Sequence, residues 1–137
     1  MIGRQALGKS RLPQPARELY RWANSTIGRL DASRRALPNF LVMGTQRGGT
    51  TSLFIYLLQH ELVFGPRRTK GVHYFDTNAH RSVSWYRAHF PRTAVLDRAA
   101  DEHGVVPAVG EGSPYYMFHP TIPERAAALL PLSLIHI

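Results

Sequence analysis

Asn39-Phe-Leu-Val-Met-Gly44 runs directly into Gly44-Thr-Gln-Arg-Gly-Gly-Thr-Thr-Ser52, and that into Leu53-Phe-Ile-Tyr-Leu57. The first stretch is short, almost continuously apolar and closed by glycine, the pattern of a strand buried on both faces in a parallel sheet. The second is a polar, glycine-rich turn. The third reads as a helix over Thr50 to His60, with Leu53, Tyr56, Leu57 and His60 on one face. Strand, glycine turn, helix is the arrangement that wraps backbone N–H groups around an anion, because glycine tolerates the tight turn and the helix N-terminus adds positive potential. A Walker A loop requires Gly, four residues, Gly, Lys and then Ser or Thr. Gly44, Gly49 and Thr51 satisfy that spacing, but Thr50 stands where the lysine belongs. The backbone part of an anion site is present. Its cation is displaced to Arg47, inside the loop.

Outward from this unit, short apolar runs alternate with helical patterns. Leu62 to Gly65 and Val105 to Val109 read as strands, and Val72 to Phe75 as a brief extended segment after a basic loop over Pro66 to Gly71. Ser82 to Phe90, Ala94 to Glu102 and Pro123 to Leu130 read as helices. Before the loop, a helical pattern begins at Pro15, with Leu19, Trp22, Ala23, Ile27 and Leu30 on one face, and Pro38 closes that section. The alternation predicts an α/β fold: a P-loop-like, mainly parallel sheet with flanking helices.

Bulk properties narrow the function. The 137 residues suffice for one domain and 44% of them are hydrophobic, enough for a packed core. With no cysteine there is neither a disulfide scaffold nor a thiolate metal site, and no metal is expected. No apolar run reaches the ~20 residues of a transmembrane helix and no secretory signal is recognisable, so a cytoplasmic protein is expected. The net charge of +8 is concentrated in residues 1–38, which carry eight basic and two acidic side chains. That arm suits a solvated leader or contact with a polyanion, but it has no aromatic-basic stacking platform, and no specific nucleic-acid partner is expected.

Four segments in order resemble the sulfotransferase family, especially the branch acting on glycans such as heparan sulfate, and its bacterial relatives. Phe40 to Leu57 resembles the family's strand, Gly-x-x-Lys/Arg-Gly-Gly-Thr and helix. Lys70-Gly-Val-His-Tyr-Phe-Asp76 is similar to its basic-acidic-x-His-Phe-Phe-Asp segment. Trp85-Tyr86 with His89-Phe90-Pro91 resembles its Trp-Tyr-x-x-x-Phe-Pro segment, and Gly110-Glu-Gly-Ser-Pro-Tyr-Tyr116 with Pro123-Glu-Arg125 its Glu-x-Ser/Thr-Pro-x-Tyr and Pro-Glu-Arg pair. The resemblance spans residues 39–131. It implies transfer of a sulfuryl group from 3′-phosphoadenosine 5′-phosphosulfate to a hydroxyl or amine acceptor, a carbohydrate. Gln46, Arg47, Gly48, Gly49, Thr50, Thr51 and Ser52 would then bind the donor's 5′ end.

Sulfuryl transfer resembles phosphoryl transfer, with charge building on the bridging oxygen of the leaving group. Arg47 would stabilise that charge; as an arginine where relatives usually carry lysine, it stays charged and is a poor acid. The family's catalytic glutamate corresponds to Gly71, which leaves His73, Asp76 and Glu111 as candidates. His73 is a base or a packed histidine; Asp76 is catalytic or caps a turn; Glu111 positions the acceptor or binds a loop backbone. Restoring glutamate at 71 is expected to raise activity. Trp85, Tyr86, Tyr115 and Tyr116 line a sugar cleft or pack in the core. Arg67, Arg68 and Lys70 contact an anionic acceptor or form a wet loop. The competing functions are a P-loop kinase or NTPase, which Thr50 argues against, and a non-catalytic anion- or nucleic-acid-binding module.

The chain is expected to be the N-terminal part of such a domain, inactive by itself. Residues 1–38 would be a basic arm and helix, and residues 39–131 sulfotransferase. The last six residues, Leu132-Ser-Leu-Ile-His-Ile137, resemble a translated sequencing adapter and read as a non-native tail.

Overall fold

A computed structural model describes residues 30–67 and 69–130. The predicted N-terminal helix apart from its last residue, Arg68 and the tail after Leu130 lie outside the described residues. Three parallel strands form the sheet: β1 (Phe40–Val42), β2 (Val63–Phe64) and β3 (Ala108–Gly112), in the order β1-β3-β2. Phe40 pairs with Gly110 and Val42 with Gly112, so β1 and β3 end level with one another. Val63 and Phe64 pair with Ala108 and Val109 on the other side of β3. The parallel α/β architecture expected from the alternation is present.

The third strand lies further along the chain than its apolar run suggested. Val105 and Val106 are exposed, and pairing begins only at Ala108, after Pro107, which has no N–H to give a ladder. The strand therefore takes in Gly110, Glu111 and Gly112, a polar and glycine-rich segment. Close approach explains the glycines. A Cβ on Gly110 would fall within the Phe40 ring of the neighbouring strand, and one on Gly112 would lie 3.2 Å from Phe54 Cγ.

Four helices flank the sheet: α1 (Thr50–Leu57), α2 (Val83–Arg87), α3 (Thr93–His103) and α4 (Ile122–Leu129). Ser82 caps α2 by accepting a hydrogen bond from Trp85 N at 3.2 Å. Gly104, with φ +68°, ends α3 in the left-handed conformation that glycine adopts most readily. The buried face of α1 differs from the one expected. Phe54 is 1% exposed and Thr50 is buried, whereas Leu53 and Tyr56 are exposed. Phe54 enters the space left by two glycines: its Cζ lies 3.1 Å from where a Gly65 Cβ would be, beside Leu58, and its Cγ 3.2 Å from where a Gly112 Cβ would be.

The core is largely aromatic. Val72, Phe75, Tyr86, Phe90, Val109, Tyr116, Ile122, Ala126 and Leu130 form one buried cluster. Tyr74 stacks on Tyr86 at 4.3 Å, and Phe75 meets Tyr86 and Tyr116 edge-on at 5.6 and 5.5 Å, the offset and T-shaped geometries that ring quadrupoles favour. Tyr86 and Tyr116 are therefore core residues, while Tyr115 is exposed. The basic arm also contributes to packing. Arg35 is buried, bonded to Asp31 at 2.7 Å and to the Phe90 carbonyl at 2.8 Å, and Arg92 reaches the same Asp31. These bonds, first among them the one from Arg35, hold the Asp31 carboxyl below its ordinary range. Among the described residues no helix is long and apolar enough to cross a membrane.

Candidate active site

The glycine loop leaves the carboxyl end of β1 and enters α1, at the edge where open parallel sheets bind ligands. Gly48 N donates to the Thr45 carbonyl at 3.0 Å and Leu53 N to Gly49 O at 2.9 Å, closing the turn onto the helix. Arg47 has φ +62° and Gly49 φ +80°, so two of the three residues from 47 to 49 are in the left-handed region. Arg47, Thr51 and Ser52 are exposed, and Thr50 is buried.

A lysine from another segment completes the loop. Lys70 Nζ donates to Thr50 Oγ1 and to Thr51 Oγ1, each at 3.0 Å. These bonds set it apart from a side chain of a merely wet loop. Sequence reading missed this because the partners are twenty residues apart; the one available signal was the cation missing from position 50.

Beyond Lys70 the chain runs along the end of β3, held by Glu111. Gly112 N donates to the Lys70 carbonyl at 3.0 Å. Glu111 is fully buried, and its Oε1 accepts from Val72 N (3.0 Å), His73 N (3.1 Å), Ser113 Oγ (2.6 Å) and Tyr116 OH (2.7 Å), while Oε2 accepts from Tyr86 OH. Burial, and then the adjoining Glu111 carboxylate, push both tyrosine hydroxyls far above their ordinary pKa, so they act as donors throughout the physiological range. The candidate role of Glu111 as a base is corrected by this geometry. Its oxygens face interior donors, and of the two alternatives it realises loop binding.

What Glu111 holds in place is His73. This residue has φ +56°, and it and Arg47 are the non-glycine residues with positive φ among the described residues. Such backbone is uncommon outside glycine and concentrates at functional sites. The His73 side chain is 43% exposed, and its Nδ1 lies 2.9 Å from Oδ2 of Asp76, whose side chain is 3% exposed. Asp76 Oδ1 meanwhile accepts from Thr77 N at 2.6 Å, so one carboxylate both caps the turn and orients the imidazole. Because an ionised carboxylate can only accept, the bond requires a proton on Nδ1; in the neutral imidazole Nε2 is then the acceptor.

Comparison with curated proteins finds similar sequences. The chain is 32% identical over 104 residues to the bifunctional heparan sulfate N-deacetylase/N-sulfotransferase 4 of Mus musculus and equally to the N-deacetylase/N-sulfotransferase 3 of Homo sapiens, matches covering 72% of this chain and 11% of each relative. It is 32% identical over 89 residues to the membrane-associated sulfotransferase kil1 of Dictyostelium discoideum, covering 65% of this chain and 17% of that protein. Its curated homologues are sulfotransferases, matched over about 70% of this chain. The chain thus spans only a small part of the length of the relatives it matches. No family model matches it.

The point where this chain departs from the resemblance, Gly71, is sterically closed. A Cβ there would lie 2.5 Å from Ser113 Oγ and 2.7 Å from the Gly112 carbonyl. The expected gain of activity in Gly71→Glu is therefore replaced by an expected loss. The substitution must displace the 70–73 segment from β3 and should destabilise the protein by about 1–3 kcal/mol, as overpacking does. Thermal unfolding checks it; an unchanged midpoint with raised turnover would be the contrary result.

Proposed function

We infer that the full-length protein transfers a sulfuryl group from 3′-phosphoadenosine 5′-phosphosulfate to a hydroxyl or amine of a glycan. The observation that supports this most is the conjunction of a glycine-rich loop at the end of β1 with a carboxylate-oriented histidine on the segment tied to the end of β3. The donor set fits a phosphosulfate: loop N–H groups, hydroxyls of Thr51 and Ser52, and the permanently charged Arg47. In this reading the acceptor oxygen or nitrogen bonds to sulfur as the bond from sulfur to the 5′-phosphate oxygen breaks. His73 Nε2 takes the acceptor's proton. Asp76 steadies the imidazolium that results. Arg47 offsets the charge left on the phosphate. Heparan sulfate in the names of the mammalian relatives motivates the choice of a glycan acceptor.

Two measurements bear on this. The full-length protein should bind adenosine 3′,5′-bisphosphate more tightly than ATP; preference for ATP would favour the kinase or NTPase reading instead. Arg47→Ala should lower turnover ~10²-fold or more, the range for a lost transition-state donor. An unchanged rate would remove Arg47 from the mechanism.

A further inference from the structure

We propose that Lys70 is the second cation of the phosphate loop, delivered from the segment after β2 to the place left by Thr50, where it binds the donor's 5′ anion together with the Thr50 and Thr51 hydroxyls. This rests on the sulfotransferase reading and adds a residue to it. Three observations carry it. The first is position: Nζ stands 3.0 Å from the hydroxyls of both residues that open α1.

The second is how the side chain gets there. The Lys70 carbonyl is fixed by Gly112 N, and its stem crosses the strand over Gly112, where a Cβ would sit 2.9 Å from Lys70 Cε and 3.2 Å from Cγ. Glycine at 112 keeps that path open. The third is unmet charge. An ammonium has three donors; two go to neutral hydroxyls, and among the described residues no carboxylate forms an ion pair with Lys70. The group is half-buried, and that burial lowers its pKa from the ordinary lysine value. A partly desolvated ammonium beside two hydroxyls, with no carboxylate paired to it among the described residues, is built to receive an anion.

The test compares two ligands on the full-length protein by calorimetry: adenosine 3′,5′-bisphosphate, and adenosine 3′-monophosphate, which lacks the 5′ anion. Lys70→Ala should weaken binding of the bisphosphate ~10- to 100-fold, the range for a lost charge-assisted hydrogen bond, with the monophosphate unchanged. Lys70→Arg should recover part of the loss. If Lys70→Ala weakens both ligands equally, the lysine is only structural and the proposal fails. It also fails if Lys70→Ala binds both as wild type does while Arg47→Ala loses the preference for the bisphosphate, an outcome that leaves the sulfotransferase reading standing. If the wild type shows no preference for the 5′ anion at all, the donor-loop reading falls and the proposal with it.

Discussion

His73→Ala is expected to lower the turnover of the full-length protein by about 10²- to 10⁴-fold, the contribution of a positioned general base. The physical reason is that the Asp76 bond leaves one acceptor nitrogen on a half-exposed ring, at the end of a segment tied to the strand beside the phosphate loop. Stability should change little, because the ring is not part of the core cluster. The φ of +56° calls for a control, since alanine is poorly suited to that conformation and asparagine tolerates it better. His73→Asn should therefore be as well folded as the wild type and as inactive as His73→Ala. Turnover of His73→Asn within a few-fold of wild type would exclude His73 as the base.

The second large effect falls on folding. Glu111→Ala removes the acceptor of five buried or partly buried donors at once: two backbone N–H groups, a serine hydroxyl and two tyrosine hydroxyls. Each buried donor left without a partner costs about 1–3 kcal/mol, and although such costs do not add fully, a loss of at least about 3–5 kcal/mol is expected. That is a large share of the stability of an ordinary domain. Glu111→Gln keeps one carbonyl acceptor and should lose less. Denaturant unfolding decides the matter. A change below about 1 kcal/mol for Glu111→Ala would mean that the network contributes little.

The parts of this fold that were legible in the sequence are those governed by local chemistry. The apolar run before Gly44 read as a strand and is β1, and the glycines after it read as the turn that enters α1. Glycine marked where α3 stops, whereas α2 ends at Arg87, short of the Phe90 expected from Pro91. What escaped was decided by contacts between distant residues. The buried face of α1 is set by Phe54 entering the gap above Gly65 and Gly112, a fit that helical periodicity cannot register. The start of β3 was misplaced because Val105 and Val106 are apolar yet exposed, while Gly110, Glu111 and Gly112 are polar or small yet buried.

The site divides in the same way. Arg47 and His73 were legible as candidates from their motifs, and both carry unusual backbone. Asp76 was read as either catalytic or capping, and its two oxygens serve the histidine and the turn separately. The function of Glu111 could not be settled from its neighbours in sequence, because the groups it binds come from Val72, His73 and Tyr86. Lys70 was visible as a charge in a basic loop and as the first residue of the segment ending at Asp76, with nothing to connect it to Thr50 and Thr51. Its reach to Thr50 and Thr51 depends on the pairing of β1 with β3 and on the bare backbone of Gly112.

The measurement that bears most directly on the central claim is sulfuryl transfer itself. The full-length protein, incubated with 3′-phosphoadenosine 5′-[³⁵S]phosphosulfate and desulfated heparan sulfate, should move label into the polysaccharide and release adenosine 3′,5′-bisphosphate in equal amount, with the transfer abolished in His73→Asn. Folded protein that binds neither nucleotide and transfers no label to this or any other hydroxyl or amine acceptor, or that instead cleaves ATP, would contradict the account.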